Sequence, residues 1–284
     1  MYLQSKSTQI WLWILYTLWL GLTGWWVYIN FFITATDSQR YAFGAVYGIL
    51  AIFGASFGVY AARKWGGVKS SLGLALLLLG LGLAAAEFGQ LAFSYYNIIK
   101  GVEIPYPSVA DIGFFGSIPL YIAAGLALSR VVGVKYSLKS ASKKVAFLIL
   151  PVVGLAISYV VFLRGYVFAG SPFFKIFLDF GYPLGQALYV SIALMIYLSS
   201  RKQLGGVMKR RTLLLLAAFL IQYCADFNFL YQTLHGTWKN GGYGDYLYLL
   251  AYTFMSLTLI LFSYIPHPSR VGEVSESAGE LTPS

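Results

Sequence analysis

Residues 76–101 read LLLLGLGLAAAEFGQLAFSYYNIIKG, and the fold follows from this stretch. It is the centre of an apolar run over 72–99, longer than the ~20 residues that carry an α-helix across a bilayer. Within it stands a carboxylate, Glu87. With Gln90, Ser94 and Asn97 it falls at i, i+3, i+7 and i+10, which places four polar groups on one helical face. A carboxylate at bilayer depth costs about 2.5–3.5 kcal/mol on insertion scales. That face must therefore turn toward a bundle interior or a wet cavity, and the chain must supply the other helices.

It supplies seven more apolar segments, at 9–34, 41–62, 109–132, 145–164, 173–199, 212–234 and 245–264. Of 284 residues, 58% are hydrophobic and only 11% are charged; soluble domains carry about 25% charge. Mean hydropathy is +0.70. The ~10-residue alternating pieces of a membrane β-barrel are missing. The first segment is far longer than the roughly 7–15-residue apolar region of a signal peptide. The expected fold is all-α: a polytopic bundle of eight transmembrane helices over residues 1–265, followed by a short disordered cytoplasmic tail at 266–284. One cysteine, Cys224, excludes an internal disulfide and a cysteine metal cluster and reads as a small packing residue.

The net charge of +10 would suggest nucleic acid in a soluble chain, but its placement suggests membrane topology. Arg63, Lys64 and Lys69 follow the second segment. Arg130, Lys135, Lys139, Lys143 and Lys144 follow the fourth, and Arg201, Lys202, Lys209, Arg210 and Arg211 follow the sixth. The opposite loops hold only Arg40, Lys100, Arg164, Lys175 and Lys239. By the positive-inside rule both termini are cytoplasmic, in a multi-pass protein of the cell membrane. The partners this implies are the lipid bilayer itself, with anionic lipid at the basic loops, and no nucleic acid.

The two halves resemble each other. Residues 213–238 read LLLLAAFLIQYCADFNFLYQTLHGTW. Like 76–101, they run from leucines through one acid, here Asp226, to an aromatic and polar end with a glycine. Pro119-Leu120 and Pro183-Leu184 repeat a Pro-Leu step. Four helices per half give both halves one orientation, so a duplication here is a parallel 4+4 repeat.

The remaining polar residues form further rows. Gln222 and Asp226 share a face, with Thr233 near it; Asn228, Gln232 and His235 make a second row. Asp179, Tyr182, Gln186 and Tyr189 repeat the i, i+3, i+7, i+10 pattern. If the rows face one another they line an acidic, outward-facing cavity walled by Glu87, Gln90, Asn97, Asp179, Asp226, Asn228, Gln232 and His235. Asp111 and Asp245 shape its mouth, and Tyr95, Tyr96, Tyr106, Tyr243 and Tyr246 form its rim. These ten wall and mouth residues are the candidate ligand-binding set. The plain alternative is that they bond one another as interhelical glue, worth about 0.6 kcal/mol each. Asp37, Asp111 and Asp245 stand where an acid would cap a helix.

The chemistry of other classes is missing. No lysine sits mid-helix for a retinal Schiff base, and no paired histidines suit haem. No HExxH, GxSxG, P-loop or dinucleotide fingerprint occurs. No catalytic residue, metal ligand or cofactor is expected. An acid pair of Glu87 and Asp226 for intramembrane hydrolysis would need the two side chains adjacent.

Residues 105–111 read PYPSVAD, and GFFGSIPLYIAAGLAL follows over 113–128. An acid in the outgoing helix, YYNIIKG, then Pro105, Tyr106, Pro107, Ser108, Ala110 and Asp111, resembles the multi-spanning N-terminal membrane sensor region of prokaryotic diguanylate cyclases and sensor histidine kinases. There the motif leads into a helix with a Tyr-Pro-Leu-like step. This chain has Ile118-Pro119-Leu120 at that place and Tyr182-Pro183-Leu184 later. Ala225-Asp226, an aromatic stretch and Gly244-Asp245 continue the likeness, which covers about 75–264. It implies sensing by a helical bundle with no chemistry in the membrane. No cyclase or kinase domain follows the eighth segment. The expectation is a stand-alone membrane sensor or receptor-like module, with a small molecule or ion in the outer cavity and a separate cytoplasmic signalling partner. A small-solute or ion transporter or channel is the alternative, and a membrane-embedded lipid-acting enzyme the second alternative.

Overall fold

The computed structural model describes residues 6–132, 141–203 and 206–264, so the tail at 266–284 lies outside the described residues. Helix α1 spans Lys6–Val27, α2 Asp37–Val46, α3 Ile49–Lys64, α4 Ser71–Ser94 and α5 Ala110–Val131. Helix α6 spans Ala141–Ser158, α7 Phe173–Gln203, α8 Gly206–Leu234 and α9 Tyr243–Ser263. No strand occurs among the described residues. Helices α1, α4 and α6 widen into π-helical turns at Tyr28–Phe32, Tyr95–Ile99 and Tyr159–Leu163.

Among the described residues, seven helical stretches are long and apolar enough to cross a membrane. The eighth predicted segment, 145–164, is α6 with its π-helical turn, whose apolar described part is Leu148–Leu163. The fold is an all-α polytopic bundle. The second predicted segment departs from a single helix. It is two helices, α2 and α3, interrupted by a turn at Tyr47 and Gly48.

Six spans form a closed ring: α3 packs on α4, α4 on α5, α5 on α7, α7 on α8, α8 on α9, and α9 back on α3. Helix α1 lies against α9, and α6 against α7. Set spans one to four over spans five to eight and the ring contacts correspond: α3·α4 with α7·α8, α4·α5 with α8·α9, and α9·α3 with α5·α7. The outer spans do not follow, since α1 packs on the last span and α6 on the one that succeeds it. The two Pro-Leu steps lie in α5 and α7, which face each other: Gly185 meets the side chain of Ile118.

Small residues set the ring's tightest contacts, as expected where dispersion and close backbone approach replace the hydrophobic drive of water. Gly58 of α3 meets the backbone of Gly80 in α4, and no Cβ fits between them. Elsewhere the core is aliphatic and aromatic, with Tyr47, Tyr121, Tyr189, Phe43, Phe219 and Phe262 fully enclosed. Cys224 does not pack there; it is exposed on α8.

Capping explains the acids only in part. Thr36, not Asp37, caps α2, in a reciprocal pair with Gln39, and Asp37 sits in the first turn. Asp111 and Asp245 each reach back to a backbone amide ahead of their helix: Ser108 N at 2.7 Å and Gly241 N at 2.5 Å. Each has a second, tertiary partner.

Candidate functional site

Those second partners are tyrosines. Tyr182 of α7 donates to Asp111 of α5 at 2.7 Å, and Tyr47, at the break in the second span, donates to Asp245 of α9 at 3.2 Å. The two bonds are related by the correspondence of the halves. Each joins a tyrosine of one half to the first-turn aspartate of the other, so the halves are latched reciprocally.

Asp226 of α8 is the third such acid. It accepts three hydrogen bonds: Tyr189 at 2.6 Å, Tyr248 at 3.0 Å and Gln222 at 3.0 Å. Two phenols and an amide spread its charge without a cation. The rings of Tyr47 and Tyr252 lie 6.0 Å apart, and those of Tyr248 and Tyr252 6.1 Å apart, linking this region to Asp245. Tyr252 is within electrostatic range of Tyr121, Glu87, Asp226 and Asp245.

Glu87 stands apart in its bonding. It is buried, with 4% of its surface exposed, and Oε2 has no hydrogen-bond partner. Its carboxyl lies where a Cβ on Gly48 would be, directly against the break between α2 and α3. One turn further along α4, Gln90 donates to the Gly44 carbonyl at 2.8 Å. The Glu87/Gln90 face of the third span is thus matched to Gly44 and Gly48 of the second. At ~1.5 Å per residue, Glu87 lies about 18 Å from the end of its span at Ile99, near mid-depth of a ~30 Å hydrocarbon layer.

Among the described residues, no lysine, arginine or histidine lies within ion-pair distance of Glu87, Asp111, Asp226 or Asp245. Asp179 differs. It accepts from Lys175 at 2.7 Å, Tyr166 at 2.6 Å and Tyr106 at 2.8 Å. The Lys175 ammonium also lies 5.7 Å and 5.9 Å from the ring centres of Tyr106 and Tyr166. Burial, then the bond to Asp179, pushes the Tyr106 phenol above its ordinary range; for Tyr166 the bond to Asp179 comes first. The PYPSVAD segment is therefore stapled to α7 twice, by Tyr106 to Asp179 and by Asp111 to Tyr182.

The other expected wall residues make local bonds. Asn97 donates to Phe93 O at 3.1 Å and Asn228 to Gln232 at 3.3 Å; exposed His235 meets Tyr231 O at 2.8 Å. None of these bonds joins the tyrosine–carboxylate cluster. Of the expected rim, Tyr95 and Tyr243 are exposed and Tyr246 stacks on Trp26, with ring centres 4.4 Å apart. Tyr47, Tyr248 and Tyr252, absent from the expected set, carry much of the cluster. Tyr248 and Tyr252 fall at i+3 and i+7 from Asp245, the same spacing that marked α4. Among the described residues no group of three or more histidine, cysteine or acidic side chains is placed to hold a metal.

No protein-family model, curated protein or solved structure matches this chain.

Proposed function

We propose that the chain is a membrane-embedded receptor-like module whose buried carboxylates answer a small cation or polar solute arriving from the outer side. One observation carries this reading. Two acids within the spans, Glu87 and Asp226, and two at the outer ends of spans, Asp111 and Asp245, are held by tyrosine hydroxyls, side-chain or backbone amides, or nothing, with no basic side chain among the described residues within ion-pair distance. Acids so placed are expensive and mark functional positions by default. Two of them also latch the halves. A ligand that drew a tyrosine off Asp111 or Asp245 would therefore bias the packing of one half on the other. A ligand acts only by binding two arrangements differently, and the latches are where they would differ. The likeness of PYPSVAD to membrane sensor regions supports the same reading, and a separate cytoplasmic partner would read the change at the basic loops.

The break in the second span favours ion transport as the second reading. Interrupted helices beside a carboxylate are a common way to build an intramembrane ion site. One experiment separates the two. Thermal unfolding of the purified protein is followed across a panel of inorganic cations, organic ammonium ions and neutral metabolites, beside the Asp226→Asn variant. At ~100 Kd a ligand contributes about 2.7 kcal/mol. A compound-specific rise in Tm, lost in Asp226→Asn, supports a receptor. The same compound accumulating in proteoliposomes moves the reading to transport. No shift with any compound, and none with pH that Glu87→Gln removes, leaves the acids as interhelical glue and ends the proposal.

A further inference from the structure

We propose that the ligand of this site is the proton, bound at Glu87, and that its binding closes the break in the second span. The inference deepens the receptor reading and rests on it. Three facts converge on Glu87. Its carboxyl is enclosed, with one oxygen unpartnered. It lies on Gly48, in the turn that interrupts the span. No basic residue among the described residues stands within ion-pair distance.

Nothing among the described residues compensates a negative charge at Oε2. From the break comes Tyr47, whose phenol is committed to Asp245. From α9 comes Tyr252; Asp245 and Asp226, the latter already holding three donors, lie within electrostatic range of that tyrosine. From α5, Tyr121 packs on Gly82 and its own hydroxyl is unpartnered. The titratable neighbours are thus acids and phenols. A neutral carboxylic acid is the form that packs against Gly48 without a counter-cation. Its O–H is also a donor, which a carboxylate lacks. When Glu87 takes a proton from hydronium, a water molecule is released and the group passes from one negative charge to none. The reverse step puts an unpaired charge on the thinnest part of the second span, a glycine turn with no side chain to shield it.

Hydrogen exchange of the amides over 44–52, in lipid nanodiscs and corrected for the intrinsic rate, tests this. One proton linked to opening raises the opening constant by up to about tenfold per pH unit between the titration points of the open and closed forms, and leaves it flat outside that window. That slope is expected in the wild-type protein, with Glu87→Gln closed and flat across pH. An equal slope in both proteins overturns the proposal. So does closure by sodium at fixed pH with no response to pH, which would make the site one for a metal cation. Should Glu87→Gln not fold, infrared spectroscopy of the wild type decides. A protonated-carboxyl band vanishing in step with opening supports the proposal, and opening without such a band overturns it. The receptor reading is tested by thermal unfolding across compounds and pH, so failure of the proton site is distinguishable from failure of that reading.

Discussion

Replacing Gly48 by alanine tests the contact on which the site is built. The backbone there has φ −61° and ψ −14°, a right-handed conformation open to any residue, so alanine costs no backbone strain. Restricting the unfolded chain would by itself stabilise by about 0.4–1 kcal/mol. Against this, the new Cβ would overlap the Glu87 carboxyl, both oxygens and the carbon between them. Overpacking of a tight interior costs about 1–3 kcal/mol. The steric cost is the larger, so the net loss is about 1–2 kcal/mol. At ~2–4 °C per kcal/mol for a chain of this size, Tm in detergent falls by several degrees. Gly116→Ala is the control, since a Cβ there meets nothing within 4 Å. The decisive comparison is the double variant Gly48→Ala/Glu87→Ala. With the carboxyl gone the alanine fits, and the pair should couple by about 1–2 kcal/mol. An identical loss from Gly48→Ala with and without Glu87 would refute the reasoning, because the penalty would then come from elsewhere in the turn.

Tyr189→Phe and Tyr248→Phe should each lower stability by about 0.6–1.7 kcal/mol, the range of membrane hydrogen bonds; a sub-additive double variant in thermal unfolding would show that the two phenols share Asp226. Tyr47→Phe and Tyr182→Phe should cost similar amounts and add within about 0.5 kcal/mol, because the latches have no partner in common. For Tyr106 the folded phenol lies above the ordinary tyrosine range, so its contribution is complete below the unfolded value of about 10 and is lost as pH rises past it. Alkaline unfolding should accordingly shift to higher pH in Tyr106→Phe, and ultraviolet titration should show one phenol fewer ionising late.

Much of this architecture is legible in one dimension. Apolar runs mark the spans because the bilayer leaves a helix no alternative. The i, i+3 pairing of Glu87 and Gln90 places both on one face, and both meet the second span. The break in that span carries no proline to mark it. Its sign was two glycines four residues apart, Gly44 and Gly48, which gain meaning only once a partner helix presents Glu87 and Gln90 to them. Tyr182 and Tyr189 are legible in the row they share with Asp179, whereas Tyr47, Tyr248 and Tyr252 are not, because a phenol within an apolar run reads as an aromatic core residue; its hydroxyl matters only when an acid is opposite. Asn228 was grouped with the wall although two residues on a helix subtend ~200°, which turns it away from Asp226. Its bond to Gln232 reflects that. Periodicity assigns residues to faces and leaves open which face is central.

The correspondence of the halves sharpens the case for Glu87. Asp111 and Asp245 occupy equivalent places and are bonded alike, each by one upstream amide and one tyrosine of the other half. Glu87 and Asp226 also occupy equivalent spans, the third and the seventh, and they are bonded differently. Asp226 has three donors within 3.0 Å; the Oε2 of Glu87 has none. Where Tyr189 of α7 reaches Asp226, the second span presents to Glu87 a turn with the bare backbone of Gly48. If acids at this depth served only to glue the bundle, both halves would gain from satisfying theirs, since an unsatisfied buried group costs about 1–3 kcal/mol. One half does so and the other substitutes a helix break for the donor. That asymmetry is what the proposed proton site at Glu87 requires, since a donor already on Oε2 would compete with the proton for it.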